Sequence, residues 1–231
     1  WKPDWDMFGT VFRLGWPIGL TTLAEVALFV MSALLMGLIG TVELAAHGIA
    51  LQLASATFMV HLGLSNAATI RASTAAARGD TEHLARGAGV VVVLSLIMVA
   101  LATLAFLAIP EPLLDAFVDP DEPARAEILR VGTLLLALAA LFQLGDAMQV
   151  IHLGILRGLQ DTRMPMVMAS VSYWGIGLPA SWLLGFPLGM GAAGIWWGLV
   201  LGLAAAAVLL AWRFWWDVRH RPSLAPRPAA D

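Results

Sequence analysis

Cysteine is absent from the 231 residues, which excludes disulfides, thiolate catalysis and cysteine-based metal sites. Charge is scarce as well: 13% of the chain is Asp, Glu, Lys or Arg, against about 25% in a soluble domain. The five histidines form no H-x-x-x-H pair, and no Gly-rich phosphate loop of the P-loop kind occurs. No signal peptide precedes the first apolar run, the formal charge of −3 says little because the placement of charges matters more than their sum, and no nucleic-acid partner is expected. What is present is apolar. Hydrophobic residues make up 60% of the chain and the mean hydropathy is +0.83. That composition describes an all-α membrane protein.

A spanning helix needs about 20 mostly apolar residues. The sequence offers six such runs, at 16–39, 44–76, 83–109, 124–157, 164–186 and 191–216, so a six-helix bundle over 16–216 is predicted. Breaks fall at Gly40-Thr41, RGDTE, IPEP, LQDTRMP and GFPLGMG, all rich in turn chemistry. The second and fourth runs exceed one bilayer, and Gly145 is the expected place for a bend. Residues 1–15 read as a connecting segment with a short interfacial helix, because Trp5, Phe8 and Phe12 recur at helical spacing opposite Asp4 and Asp6. Residues 217–231, ending in RPSLAPRPAAD, read as a disordered cytoplasmic tail. The opening Trp1 suggests a chain entered midway through a larger protein.

Lysine and arginine give the orientation. Lys2, Arg13, Arg71, Arg78, Arg86, Arg157, Arg163, Arg213, Arg219, Arg221 and Arg227 share one side under this topology. Only Arg125 and Arg130 fall on the other, beside Glu111, Asp115, Asp119, Asp121 and Glu122. Both termini are therefore expected in the cytoplasm. Trp16, Trp212, Trp215 and Trp216 sit at the same span ends, as an aromatic belt does.

Of sixteen acidic residues, only Glu25 and Asp146 lie well inside spans. An ionisable group at that depth costs several kcal/mol and is functional by default. Counted from Arg13 and Arg157, the two acids lie about 18 Å and about 16 Å from one membrane surface. Two different helices thus carry carboxylates at nearly one depth. Gln143 and Gln149 flank Asp146 at three residues either way, while Thr21, Thr22 and Ser32 accompany Glu25. On the second span, Gln52, Ser55, Asn66 and Thr69 follow a rough stripe. Thr21, Ser32, Gln52, Asn66, Gln143 and Gln149 are candidate cavity-lining residues. Such oxygens and amides suit a small hydrated cavity, a hard cation such as sodium held by Glu25 and Asp146, or a proton relay. The plainer reading is helix-to-helix hydrogen bonding, which applies with most force to the amides and to His61 and His152.

Three stretches carry a family resemblance: FRLGWPIGLTTLAEVALFVMSALLMGLIGTVELAAHGIALQ, FQLGDAMQVIHLGILRGLQDTRMPM and SYWGIGLPASWLLG. In this order they resemble the C-terminal lobe of multidrug and toxic compound extrusion (MATE) transporters, NorM-like branch, over residues 2–216. The resemblance implies one lobe of a twelve-helix antiporter in the bacterial inner membrane. Such a protein is not an enzyme and needs no cofactor beyond sodium or protons as coupling ion. It exports small cationic or amphipathic drugs and works with a partner N-terminal lobe of the same polypeptide, among membrane lipids. Glu25 and Asp146 match the acids that bind the coupling cation. Phe142 stands where some relatives carry a tyrosine, which removes one oxygen ligand. Two rivals are a lipid-linked sugar flippase of the same superfamily and an intramembrane aspartyl protease. The flippase is disfavoured because no arginine is read mid-span. The protease would need a second aspartate and a G-x-G-D motif, where the chain has QLGD.

The orientation is directly testable. A fluorescent protein fused after Asp231 should fluoresce, whereas alkaline phosphatase fused there should stay inactive; the opposite pair of results would reverse the topology.

Overall fold

In hydrocarbon every backbone polar group must be satisfied within its own segment, so runs this apolar fold as helices. The computed structural model describes residues 4–220, and among them no strand occurs. The elements are α1 (Trp5–Ile39), α2 (Thr41–Arg78), α3 (Thr81–Ala108), a short α4 (Pro110–Asp115), α5 (Arg125–Gly158), α6 (Arg163–Ser170), a π-helical segment (Val171–Gly177), α7 (Leu178–Gly185) and α8 (Gly191–His220). The run from α6 to α7 is one crossing, Arg163–Gly185, so six helices are long and apolar enough to span a membrane. All six expected spans are present.

Differences lie at the ends and at Gly145. Residues 5–15 form no separate interfacial helix: α1 starts at Trp5, capped by Asp4, whose carboxylate accepts from the Met7 N–H at 3.0 Å. Nothing between that cap and Ile39 ends the helix, and Pro17 is carried inside it. At the other end α8 runs to His220, so 217–220 is helical and not tail. Its last turn is braced by the Trp216 and His220 rings, stacked at 4.0 Å. Residues 1–3 and the rest of the tail lie outside the described residues. α5 continues unbroken through Gly145. That glycine is used for packing instead: a Cβ there would sit 3.0 Å from the Ala204 nitrogen of α8.

α5 and α8 are the central pair. They bury 56% and 61% of their most apolar stretches, while α1 buries 17% and leaves Leu20, Leu23, Val30, Leu34 and Leu38 exposed. An apolar face left outward on a spanning helix is what lipid requires. The inward faces meet through small residues, which let backbones approach closely. On α8, Gly194, Gly198 and Gly202 fall at four-residue spacing and press on the fifth crossing. A Cβ on Gly194 would lie 2.5 Å from the Leu184 carbonyl carbon, and one on Gly202 would lie 2.8 Å from the Gly177 Cα. One on Gly198 would overlap the Ser181 backbone. Between α2 and α5 the same device is reinforced by hydroxyls. Ser65 Oγ donates to the Val150 carbonyl at 2.7 Å and Thr69 Oγ1 to the Gly154 carbonyl at 2.8 Å. Gly154 and Gly158 leave the space those contacts need.

The turns are fastened by charge and conformation. Gly79 takes the left-handed conformation (φ 65°) that ends α2, and Asp80 then caps α3 through the His83 N–H at 2.8 Å. At the opposite end Arg125 pairs with Asp115 and ties α5 to α4. Beyond α5, Asp161 accepts from Arg213 Nε of α8 at 2.7 Å.

Gly198→Val should therefore overpack the α7–α8 seam at a cost of about 2–3 kcal/mol, read as a lowered melting temperature in detergent. Gly48→Ala, where a Cβ meets nothing within 4 Å, should be neutral or slightly stabilising. Equal melting temperatures for both variants would remove the seam from this account.

Candidate functional site

α1, α2 and α5 do not close on one another along their whole length. Between them lies a cavity of about 390 Å³ whose polar wall comes from Thr22, Glu25, Ser55, Asp146 and Arg157. On α5, Asp146, Val150, Leu153 and Arg157 follow at four, three and four residues, so one helix face supplies both an acid and a base. On α1, Thr22, Glu25, Val26 and Phe29 likewise share one face, which supplies the second acid. Phe29 and Phe142 line the wall at the end away from Arg157, their rings edge to face at 6.0 Å. Phe142 also meets Trp196, which meets His47, so four elements are cross-braced by aromatic contacts there.

The acids have different surroundings. Glu25 is partly exposed to the cavity and accepts from Gln149 Nε2 at 2.5 Å. Gln149 itself is fully buried, and its carbonyl oxygen accepts the phenolic hydrogen of Tyr173. Tyr173 comes from the π-helical segment, and its neighbour Trp174 donates to the Ala24 carbonyl at 3.2 Å. The wide π turn thus holds α1 at the residue before Glu25 and Gln149 from the far side. Asp146 is buried, within electrostatic range of Glu25, and among the described residues its Oδ1 has no hydrogen-bond partner. Arg157 lies within electrostatic range of Glu25 and, among the described residues, takes no hydrogen bond or ion pair. Two carboxylates, one guanidinium and the hydroxyl residues Thr22 and Ser55 share a chamber whose other walls are apolar.

The family model MatE matches residues 17–183, most of the chain.

The chain belongs to the MATE family.

This MATE chain is 49% identical, over 93% of its length, to a probable multidrug resistance protein NorM of Agrobacterium fabrum. It is 48% identical, over 98%, to the protein of the same description in Rhizobium meliloti. The alignments take up 46% and 48% of those proteins, so the chain spans about half the length of the curated relatives it matches. Among solved structures it is similar to the eukaryotic MATE transporter AtDTX14, with a TM-score of 0.80 over 94% of this chain and 50% of that one, at 19% identity. An outward-facing multidrug resistance MATE transporter gives a TM-score of 0.75 over 95% of this chain and 48% of the other, also at 19%. At such identity the likeness establishes the fold. The relatives are described as multidrug resistance proteins and the two structural neighbours as MATE transporters, so the protease alternative is dropped.

The site residues expected from sequence fall into three groups. Glu25 and Asp146 come together on one cavity, with Gln149 behind Glu25. Thr21 and Ser32 are placed off the wall. Helical phase turns Thr21 aside to its own Pro17 carbonyl at 2.8 Å, while Thr22 faces the cavity. Ser32 meets His47 Nε2 at 3.3 Å. Gln52 and Asn66 are exposed away from the wall, and Gln143 is buried off it with its amide atoms unpartnered among the described residues. Three consecutive residues of a helix face three directions, so a run of polar residues near an acid cannot all line one chamber. Among the described residues no group of three or more His, Asp or Glu is arranged to hold a metal. Sequence reasoning missed Arg157 as a wall residue, having used it only to mark the membrane edge. It also missed Tyr173, although the lone tyrosine of the chain was a signal.

Gln149→Leu should strand both the Glu25 carboxylate and the Tyr173 hydroxyl, costing about 1–3 kcal/mol. Tyr173→Phe, which removes one donor, should cost less. A thermal-melt series in which the two variants match wild type would show that this network does not order the site.

Proposed function

We propose that the chain is one six-helix half of a cation-coupled multidrug efflux antiporter, with Glu25 and Asp146 as the acids that bind the coupling ion. The observation that carries this reading is the juxtaposition of those two carboxylates, from different helices, on one apolar cavity. In such a chamber two negative charges repel strongly, and either a proton shared by the pair or a sodium ion between them relieves that repulsion. Binding then favours one arrangement of the helices over another, and that difference in affinity is what couples the ion to a second ligand. Glu25 is preorganised by Gln149, while Asp146 has a free oxygen to offer. The second ligand is a small cationic or amphipathic compound, matched by acids set among Phe29, Phe58, Met59 and Leu62.

Alternating access in transporters of this kind uses two repeats about a shared site. The chain spans about half of its relatives' length, so a second six-helix unit is the proposed partner, in a bacterial inner membrane with both termini cytoplasmic. The flippase reading gains one observation, Arg157 on the cavity wall, since an anionic headgroup would need it. Two acids against one base still favour cationic cargo.

Ethidium efflux from cells expressing the intact polypeptide, with sodium and proton gradients set independently, tests the proposal. Asp146→Asn and Glu25→Gln should express at near-normal levels and lose gradient-driven efflux by at least about tenfold, consistent with loss of a switchable charge and not of packing. Wild-type efflux in Asp146→Asn would reduce the aspartate to helix-to-helix glue.

A further inference from the structure

A second cavity lies outside the bundle's centre, on the α2–α3 hairpin, and plays no part in the reading above. Its volume is about 270 Å³, and its wall combines Arg71, His83 and Arg86 with Leu64, Val90 and Leu94. The arrangement along the hairpin is ordered by depth. Counted from the turn at Asp80, His83 and Arg86 lie within about 9 Å along the helix axis and Arg71 at about 14 Å, whereas Val90, Leu94 and Leu64 extend from about 15 to 24 Å. Cationic groups therefore sit above an apolar groove, on a face where Ile70, Val90, Val93, Leu94 and Ile97 are exposed. The guanidinium of Arg71 reaches across to α3 over Gly87, where a Cβ would come 3.7 Å from its Nε. A narrow gap behind it, sharing Arg71, His83 and Gly87, runs inward between Ala68 and Ala88 to Ile155 of α5.

The charges are not used up locally. Among the described residues Arg71 makes no hydrogen bond and no ion pair. Arg86 pairs with Glu82 at 2.5 Å, but both side chains are mostly exposed (71% and 81%), and such pairs contribute little and yield readily to a better anion. A soluble anion would need only the rim, and the apolar groove beneath would have no purpose. A second protein helix would bury Arg71 against apolar side chains without a counter-charge. A molecule with an anionic head and a hydrocarbon tail satisfies both halves, and basic pockets beside spanning helices recognise such headgroups.

We propose that this groove binds one anionic phospholipid, its phosphate held by Arg71 and Arg86 and an acyl chain laid over Leu64, Val90 and Leu94. Seated there, the lipid would tie α3 to α2, both of which pack on α5.

Native mass spectrometry of the intact polypeptide that carries this sequence, delipidated and then titrated with dioleoyl phosphatidylglycerol or dioleoyl phosphatidylcholine, is the test. The anionic lipid should remain bound at about tenfold lower concentration than the zwitterionic one. Arg71→Gln should abolish that preference and Arg71→Lys should retain most of it. Leu94→Trp, which fills the groove and leaves every charge in place, should weaken retention of the anionic lipid. Equal retention of the two lipids by wild type would overturn the proposal, as would a preference untouched by Arg71→Gln. Displacement of the lipid by millimolar inorganic phosphate, or a dimer in place of the lipid adduct, would overturn it too, in favour of a free-anion site or a contact between copies.

Discussion

Helices already in hydrocarbon gain nothing by hiding apolar surface from water, so how closely their backbones approach decides which of them associate. In this bundle the approach is set by glycine on α8 and α5. Gly194, Gly198 and Gly202 draw the fifth crossing onto α8, and Gly145 draws α5 onto the same helix. The consequences reach the cavity. Gly177, seated against Gly202, belongs to the π-helical turn that carries Tyr173 and Trp174. Those two side chains in turn reach Gln149 and the Ala24 carbonyl, and so set where Glu25 stands. A seam of glycines thus helps to position the site that holds both acids. π-Helical turns inside α-helices recur at functional sites, and here the turn redirects a phenol toward an amide.

The cavity itself is a compromise between dielectric and hydration. Carboxylates in a dry apolar interior are expensive, and each unpaired oxygen adds to the cost. Glu25 offsets part of it through Gln149, whereas Asp146 keeps a buried oxygen without a partner. An oxygen in that condition is a standing demand for a cation, a proton or water. The same low dielectric strengthens the influence of Arg157 at the cavity's far end and of any ligand that enters. Phe142, by contrast, contributes packing through Phe29 and Trp196 and no oxygen.

The arginines divide in an informative way. Arg125 and Arg213 each meet a carboxylate across a junction between elements, while Arg86 and Arg130 meet one a turn back on their own helices. Arg71 and Arg157 make no ion pair among the described residues, and both border cavities. Arg157 is drawn toward Glu25 across its cavity, whereas Arg71 is exposed and has no such acid against it among the described residues. The two hollows differ in kind. One holds acids and opens within the α1–α2–α5 cluster; the other has a basic rim and faces outward.

Much of this was legible in the residues because it depends only on counting along one helix. Six apolar runs gave six crossings, and counting a rise of about 1.5 Å per residue along each helix pointed to Glu25 and Asp146 as a pair, which line one cavity. The unbroken start of α1 at Trp5 was hidden because an amphipathic first turn looks alike whether it lies in an interface or continues a span. Other features could not be counted. Gly145 suggested a bend until α8 proved to lie against it, and Arg157 marked an edge until α1 and α2 left a chamber beside it. Gln149, Gln143 and Ser32 carry similar polarity, yet one bridges Glu25 to Tyr173, one is buried off the wall and one meets His47. Sequence by itself determined the helices and the acids they carry, since each is local to a segment. Which side chains share a cavity was decided by the tertiary structure alone, because the rotation of each helix about its axis is set by small residues on its neighbours.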